Sequence, residues 1–330
     1  MSTLTRARIA DALDACRGKR IVVVGDAMLD AYLHGDVDRI SPEAPVPVVR
    51  VVRRVSALGG AANVAQNVVA SGAICDLIAV VGGDEAGLRF RALAGDAGLS
   101  TEHLVTTDRC TTQKTRVVAR AQQVVRIDEE EDVELDERQV DAIVARIRSA
   151  VANADALILE DYNKGVLTPT VIDQAIEFAR ARNIPIVVDP KYKHFFRYAG
   201  ATVFKPNRRE LEAALGAALD LEHPETLPSV VERLDVENVL LTLGERGMLL
   251  ASADGTSTRI PTVAREVYDV VGAGDTVTAY LATILATGAT PIEAAVIANV
   301  AAGIEVGKLG AASVSRDELL EYVDAHALHV

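Results

Sequence analysis

The stretch Asp269-Val270-Val271-Gly272-Ala273-Gly274-Asp275-Thr276 decides which fold and which kind of site this 330-residue chain is expected to have. Gly272 and Gly274 allow backbone conformations that are closed to residues with a Cβ, so successive N–H groups can converge on one anion. An apolar helical stretch begins near Asp275, and a helix N-terminus attracts negative charge. A carboxylate beside a bound phosphate is suited to accept a proton from an attacking hydroxyl. The stretch therefore predicts a phosphoryl-transfer site with Asp275 as its base.

Taken alone, the same stretch also fits a plain helix start, because Asp is a favoured N-cap residue. A second motif, Gly59-Gly60-Ala61-Ala62-Asn63-Val64-Ala65, changes the balance. Two glycines precede an Ala-rich helix, and Asn63 lies one turn into it, where its amide can reach the hydroxyl groups of a ligand. The presence of both motifs favours a binding site over a simple cap.

The two motifs resemble the paired signatures of the ribokinase-like (PfkB-type) carbohydrate kinases, and the resemblance covers nearly the whole chain. Ile21–Asp30 resembles the family's first strand followed by its sugar-binding Asp, which falls on Asp30. Asn207-Arg208-Arg209-Glu210 resembles the family's Asn-x-x-Glu motif for nucleotide and magnesium. Leu241–Gly247 resembles the strand and turn that pass beside the nucleotide, and Asn299 matches a position near the adenine.

The resemblance implies a role for individual residues. Asp275 would be the base, and the backbone of Gly272, Ala273 and Gly274 would form an anion hole. The residues implied for sugar binding are Asp30, Gly59, Gly60, Asn63 and Glu160. The residues implied for ATP binding are Asn207, Glu210, Thr242, Gly244 and Asn299. Mg²⁺ would arrive with ATP, and Glu210 would act on it indirectly by steering its water shell.

Four further strings resemble the family members that phosphorylate the 1-hydroxyl of D-glycero-β-D-manno-heptose 7-phosphate, a step toward ADP-heptose and lipopolysaccharide core. The strings are Asp36–Val48, Glu160–Gly165, Val188–Lys191 and Gly307–Gly310. They leave the choice of anomer and epimer open. Many such kinases carry a second, nucleotidyltransferase domain, and the end of this chain at Val330 predicts the free-standing form.

A 7-phosphate group on the substrate would need cations near the expected cleft. The candidates are Arg116, Arg120, Lys164 and Lys191. For each of them an ordinary exposed position is an equal alternative, because Lys and Arg usually lie at the surface. Lys164 and Lys191 could instead neutralise ATP.

Composition limits the other possibilities. The chain is 49% hydrophobic, which suits one large α/β core. Its three cysteines have no paired spacing and its six histidines no metal-ligand spacing, as expected of a reduced cytoplasmic enzyme. The net charge of −13 argues against nucleic acid as a partner. The most apolar helical stretch, 277–288, is too short to cross a bilayer, so no membrane partner is expected.

Apolar strands alternate with helical patterns along most of the chain. The predicted strands are Arg20–Gly25, Cys75–Val81, Ala156–Glu160, Ile186–Asp189, Thr202–Lys205 and Asn238–Leu243. This alternation predicts an α/β fold, a doubly wound and mostly parallel sheet with helices on both faces, in one domain spanning 1–330. Ligands are expected at the carboxyl ends of the strands, where Asp30, Glu160, Asp189 and Thr242 lie.

Two segments, 32–55 and 111–128, interrupt the alternation and carry Val-rich runs of period two. They predict an additional small β-sheet. In the resembling family such a sheet is a lid over the sugar, and in several members two lids join in a dimer. Because a free sheet with one apolar face would be sticky, we expect a homodimer through this lid.

Missing motifs exclude three other kinds of site. The run 303–309 has the wrong spacing for a P-loop, Gly25–Asp30 lacks the three-glycine dinucleotide fingerprint, and no Gly-x-Ser-x-Gly elbow occurs. Two alternatives stay open: a kinase of the same family for another sugar, sugar phosphate or nucleoside, and a noncatalytic sugar-binding protein. The presence of Asp275 beside both glycines favours catalysis.

Overall fold

The computed structural model describes residues 4–120, 122–221, 227–264, 267–308, 310 and 312–326. Strands form in this part of the chain where short runs of aliphatic residues, rich in Val, Ile and Leu, follow one another. The strands are β1 (Arg20–Gly25), β2 (Ala27–Ile40), β3 (Pro47–Gly60), β4 (Ile74–Ile78), β5 (Val80–Gly82), β6 (Val105–Thr107), β7 (Gln113–Ala119), β8 (Gln122–Glu129), β9 (Ala156–Glu160), β10 (Ile186–Asp189), β11 (Val203–Phe204), β12 (Asn238–Thr242), β13 (Met248–Ser252) and β14 (Ser257–Ile260).

The central sheet contains eight of these strands in the order β14-β13-β12-β11-β10-β9-β1-β4. Neighbours from β4 through β12 are parallel, while β13 and β14 add antiparallel strands at one edge. The predicted mostly parallel sheet is confirmed, and β1, β9 and β10 have the predicted bounds. The predicted strand Cys75–Val81 is wrong in its second half: the chain leaves the central sheet after Ile78, and Val80–Gly82 pairs with β6 instead.

Helices cover both faces of the central sheet. They are α1 (Arg6–Ala15), α2 (Ala61–Ala70), α3 (Glu85–Asp96), α4 (Glu137–Val151), α5 (Pro169–Ala181), α6 (Arg208–Leu215), α7 (Leu227–Leu234), α8 (Ala273–Leu285), α9 (Pro291–Glu305) and α10 (Arg316–Ala325). Side chains of β1 alternate between the two layers: Ile21 and Val23 join the core of α1, α2, α8 and α9, whereas Val22 and Val24 join the core of α4, α5 and α7. The pleat of one strand therefore supplies both cores.

A second, four-stranded sheet has the order β3-β2-β7-β8. The long strands β2 and β3 pair antiparallel over almost their whole length, β2 and β7 run parallel, and β7 and β8 form an antiparallel pair. Most of the segments 32–55 and 111–128 lies in this sheet; residues 41–46 connect β2 to β3, residues 111, 112 and 120 lie outside the strands, and residue 121 is outside the described residues. The expected small β-sheet is therefore present, and β3 and β8 are its two edges.

The two sheets meet where β1 ends at Gly25 and β2 begins at Ala27. The carboxyl ends of β9 and β10 lie beside this junction, because β9 pairs with both β1 and β10. Side chains from three central strands and from the four-stranded sheet are thereby brought to one edge. No helix in the described part of the chain is long and apolar enough to cross a membrane.

Candidate active site

Three buried carboxylates lie together at the carboxyl edge of the central sheet. Glu160 is the last residue of β9, Asp189 is the last residue of β10, and Asp275 lies in the first turn of α8. One oxygen of each lies within 4.8 Å of the others. Like charges at this separation raise one another's pKa, and burial adds to the effect. The pKa of Glu160 is accordingly raised well above its ordinary value, by burial first and then by Asp189 and Asp275.

A lysine compensates part of this negative charge. The Nζ atom of Lys205, which follows β11, donates to Oδ2 of Asp189 at 2.7 Å, and both side chains are buried. Burial would lower the pKa of Lys205, but Asp189 and Glu160 outweigh burial and raise it, so the ammonium stays charged. Lys205 therefore supplies the positive charge that a bound cation would otherwise have to bring to the cluster. Both Glu160 oxygens lack a hydrogen-bond partner among the described residues.

Asp275 is held by two donors. Its Oδ2 accepts from Nδ2 of Asn63 at 2.7 Å, and its Oδ1 accepts from the phenol of Tyr162 at 2.7 Å. Burial raises the pKa of Asp275 to about 6, while the hydrogen bonds from Asn63 and Tyr162 act in the opposite direction. Such a carboxylate is largely ionised at neutral pH and is close to the range in which a general base works best. Asn63, which the sequence analysis assigned to ligand hydroxyls, thus contacts Asp275 directly.

The glycine turn begins α8 in an unusual conformation. Gly272 is the N-cap with φ 99° and ψ −10°, a left-handed conformation that residues with a Cβ rarely adopt, and no side chain caps the helix. Gly274 is exposed even though the next residue, Asp275, is buried. The N-terminus of α8 therefore opens toward solvent with the buried carboxylate immediately behind it. This arrangement suits an anion that approaches from outside.

The four-stranded sheet contributes a second pair of charges. Asp30, on β2, forms an ion pair with Arg116 of the neighbouring β7, and the Arg116 guanidinium lies 5.3 Å from the centre of the Tyr32 ring. A Cβ at Gly59 would overlap the Asp30 carboxylate, so that position requires glycine. Gly60 precedes α2 and thereby positions Asn63 within the helix's first turn. Gly59 therefore lies against Asp30, and Gly60 leads into the helix whose Asn63 binds Asp275.

Three of the five predicted nucleotide residues, Asn207, Glu210 and Thr242, form a separate group around α6. Asn207 is the N-cap of α6, its Oδ1 accepts from the Glu210 backbone N–H at 2.9 Å, and Oε2 of Glu210 accepts from the Asn207 N–H at 2.8 Å. Oε1 of Glu210 pairs with Lys191, whose Nζ lies 5.1 Å from the centre of the Tyr162 ring. Thr242 at the end of β12 forms a bridge with Asn207. The Asn-x-x-Glu motif is thus also a capping box.

Other predicted residues lie outside this constellation. Arg120 is exposed in the turn after β7, about 13 Å along the strand direction from Arg116. Gly244 is exposed at the start of a 3₁₀ turn, and Asn299 donates to the Pro261 carbonyl at 2.8 Å. Lys164 forms an ion pair with Glu130 at 2.8 Å. The four candidate cations for the sugar phosphate therefore do not form one cluster. Of these four, Arg116 and Lys191 lie beside predicted site residues.

Four site residues carried no prediction of a role. Asp26, Tyr162 and Lys205 lie in quoted or adjacent stretches, and Asp189 was expected only as a strand-end residue. Lys205 had a usable signal, because a lysine that ends a buried strand must find a counter-charge. Tyr162 had none, since nothing in its local pattern indicates a contact with a residue more than a hundred positions away.

The chain belongs to the pfkB family of carbohydrate kinases, whose family model matches residues 19–318. Among curated proteins, the bifunctional protein HldE of Rhodospirillum rubrum is 44% identical over 323 residues, which are 96% of this chain and 64% of that protein. This chain therefore spans less than two thirds of that relative's length.

Two solved structures show the same fold at low sequence identity. Phosphofructokinase-2 from Escherichia coli in complex with potassium has a TM-score of 0.77 and 20% identity, covering 94% of this chain and 99% of that one. Ribokinase from Arabidopsis thaliana complexed with ribose and ATP has a TM-score of 0.73 and 19% identity, covering 93% of this chain and 99% of that one. The predicted ribokinase-like fold is confirmed, and family membership makes this chain a phosphotransferase that acts on a sugar.

The first prediction concerns Lys205. Lys205→Met leaves the three carboxylates without their nearest cation, and removing one partner of a buried pair costs about 3–5 kcal/mol. The folded-state pKa values of Glu160 and Asp275, already raised above their ordinary values, rise further, so the loss is smallest near pH 5 and grows as pH increases. Urea unfolding at pH 5.5 and pH 8 measures this difference.

Lys19→Met is the matched control, because Lys19 pairs with Asp155 at 3.0 Å but both side chains are one-third exposed. It should cost less than about 1 kcal/mol at either pH. Equal losses for Lys205→Met and Lys19→Met at pH 8 would show that Lys205 does not compensate the cluster.

Proposed function

We propose that this protein is an ATP-dependent kinase that phosphorylates the anomeric 1-hydroxyl of D-glycero-β-D-manno-heptose 7-phosphate, giving the 1,7-bisphosphate for ADP-heptose and lipopolysaccharide core synthesis. The observation that carries the reaction type is Asp275, a buried carboxylate directly behind the open N-terminus of α8. The choice of sugar is supported by the four strings that resemble kinases of this heptose and by the 44% identity with HldE.

Asp275 would act as the general base. The carboxylate accepts the proton of the 1-hydroxyl as that oxygen attacks the γ-phosphorus of ATP, and ADP leaves with the electrons of the broken P–O bond. Backbone N–H groups of Gly272, Ala273 and Gly274 face the charge that develops on the transferred group. Asn63 holds Asp275 through Oδ2, so the carboxylate does not have to reorient during proton transfer.

ATP would bind on the side of α6 and β12. The Arabidopsis ribokinase complex with ribose and ATP supports ATP as the phosphoryl donor for this fold. Lys191 would exchange its ion pair with Glu210 for the phosphates. Gly244 is accessible for the nucleotide, whereas Asn299, which is bonded to Pro261, would act mainly by shaping the adenine side.

The residues on this side also fit Mg²⁺, which prefers oxygen ligands and keeps several of its waters. Glu210 and Asn207 offer a carboxylate and an amide oxygen at the N3 and N-cap positions of one capping box. They would contact the waters of an ion that the nucleotide carries. Magnesium bound there would neutralise charge on the β- and γ-phosphates.

The sugar would bind between the central sheet and the four-stranded sheet, which we propose acts as a lid. Asp30, Asn63 and Glu160 supply acceptors and donors for hydroxyl groups, and Gly59 and Gly60 allow close approach of the backbone. Arg116 is the best-placed cation for the 7-phosphate, because it lies beside Asp30 on the same sheet. Arg120 could reach a phosphate only after the lid moves.

We also propose a homodimer formed through the lid. Large hydrophobic residues are exposed on this sheet and its connecting turn, namely Ile40, Val46, Val52, Val55, Val124, Val125 and Ile127. All of β8 is exposed, and it is an edge strand whose backbone can pair with another chain. A cytoplasmic location would match the supply of ATP and the three cysteines, none of which is in a disulfide.

Measurement of ADP release decides the proposed reaction. The assay contains ATP, Mg²⁺ and one acceptor at a time: the heptose 7-phosphate, ribose, fructose 6-phosphate or adenosine. Turnover confined to the heptose phosphate, with a 1,7-bisphosphate product, is the expected result. Turnover on another acceptor would keep the mechanism and discard the substrate, while no turnover on any acceptor would favour a noncatalytic sugar-binding protein.

The second prediction concerns the base. Asp275→Asn should lower kcat by about 10²- to 10⁴-fold, because the amide cannot accept the proton, while sugar affinity changes little. Steady-state kinetics and calorimetric titration with the sugar measure the two effects. Asp76→Asn removes a buried carboxylate that pairs with Arg20 on β1, remote from α8, and should retain near-normal kcat. More than a tenth of wild-type turnover in Asp275→Asn would disprove the base assignment.

The third prediction concerns assembly. Ile127→Asp places a charge on the exposed edge strand β8, where Ile127 is 49% exposed, and should convert a dimer into a monomer. Light scattering over a concentration series should give twice the 35.0 kDa chain mass for wild type and the single mass for the variant. Val133→Asp changes a residue that is 67% exposed outside both sheets and should stay dimeric. A wild-type mass of one chain at all concentrations would remove the dimer proposal.

A further inference from the structure

Tyr162 connects the proposed base to the loop that follows β9. Its phenol donates to Oδ1 of Asp275 at 2.7 Å, on the opposite carboxylate oxygen from Asn63. Burial, followed by the charges of Asp275 and Glu160, raises the pKa of Tyr162 well above its ordinary value. The phenol therefore remains protonated and donates to Asp275 throughout the range in which an enzyme of this kind works.

The loop that carries Tyr162 is itself fixed by one buried carboxylate. Asp26, between β1 and β2, accepts three backbone N–H groups, those of Tyr162 at 2.8 Å, Lys164 at 2.9 Å and Val166 at 3.0 Å. The same residue donates its own N–H to the Glu160 carbonyl at 3.1 Å. Rotation of the loop would break several of these bonds at once. The Tyr162 ring is therefore held in place before any substrate arrives.

Asp275 faces a crowded set of charges, and their balance determines its ionisation. The titratable groups that act on it from the surrounding elements are Glu160 of β9, Asp189 of β10, Lys205 after β11, Tyr162 of the loop after β9, and Glu305 of α9. Burial first and then Asp189 disfavour a negative charge on Asp275, whereas Lys205 favours it. The hydrogen bonds from Asn63 and Tyr162 oppose burial and Asp189 directly at the two carboxylate oxygens.

We propose that Tyr162 is a positioning residue for Asp275, which fixes the rotamer of the carboxylate and keeps it ionised, and therefore able to accept a proton, at neutral pH. This inference rests on the proposed role of Asp275 as the base. Asn63 alone would leave Oδ1 without a donor among the residues that the structure describes, close to Asp189 and Glu160. With Tyr162 present, both oxygens are satisfied and the remaining lone pairs of the carboxylate are free for the substrate hydroxyl.

The test is the pH profile of Tyr162→Phe. Because the phenol's hydrogen bond stabilises the ionised carboxylate, its loss should move the acid limb of kcat upward by about one pH unit. The variant should therefore lose up to about tenfold in kcat near pH 6 and much less near pH 8.5, with little change in KM for the sugar. An acid limb at the wild-type position would overturn the inference.

Tyr198→Phe is the matched control. The Tyr198 phenol also donates to a buried carboxylate, Oδ2 of Asp161, at 2.9 Å. Asp161 precedes Tyr162 in the sequence, but this hydrogen bond does not involve Asp275. It should leave the acid limb unmoved. If Tyr162→Phe does not fold, 3-fluorotyrosine at position 162 preserves the shape of the ring and makes a stronger donor, and it should move the acid limb downward.

The same experiment separates this inference from the proposed function. Near-normal turnover in Asp275→Asn would reject the base itself. Loss of turnover in Asp275→Asn combined with an unchanged profile in Tyr162→Phe would reject only the role of Tyr162. An equal upward shift in Tyr162→Phe and Tyr198→Phe would also reject it, because the effect would then come from a disturbed loop.

Discussion

Charge compensation around three buried carboxylates is the constraint on which this site depends. Glu160, Asp189 and Asp275 lie within 4.8 Å of one another, and carboxylates at that separation resist simultaneous ionisation. Lys205, which is buried at the end of the neighbouring strand, compensates part of this charge through an ion pair with Asp189 at 2.7 Å. The pKa of Glu160 is raised well above its ordinary value by burial and by the two neighbouring carboxylates, and neither of its oxygens has a partner among the described residues. Asp275 can remain ionised because the hydrogen bonds from Asn63 and Tyr162 and the charge of Lys205 lower its pKa.

Backbone topology brings these groups together. Parallel strands deliver their last residues to one edge, so β9 and β10 place Glu160 and Asp189 side by side, as their pairing shows. Asp26 lies at the point where the chain passes from the central sheet to the four-stranded sheet, and it binds both neighbouring loops: its carbonyl accepts from the Ala61 N–H at 3.0 Å, and its carboxylate holds the Tyr162 loop. One buried residue thus contacts both the start of α2, which carries Asn63, and the loop that carries Tyr162.

Most polar groups at the site have partners within the protein. Arg116 pairs with Asp30, and Lys191 pairs with Glu210. Substrates of a carbohydrate kinase would therefore exchange partners within existing ion pairs, and the protein would not have to keep isolated charges buried before binding. Under the proposed function, such an exchange would make the site selective, since a ligand must satisfy the residue that it releases as well as the one it binds.

The sequence by itself determined the α/β fold, three strands to the residue, and the two glycine motifs that begin α2 and α8. Glycine motifs and apolar runs are local signals, because they describe what one short segment of backbone can do. Only the tertiary structure decided that Tyr162 and Lys205 join the site and that Arg120 lies far from it. Those outcomes depend on which strands become neighbours and on how buried charges are neutralised, and both are set by contacts between residues distant in the chain.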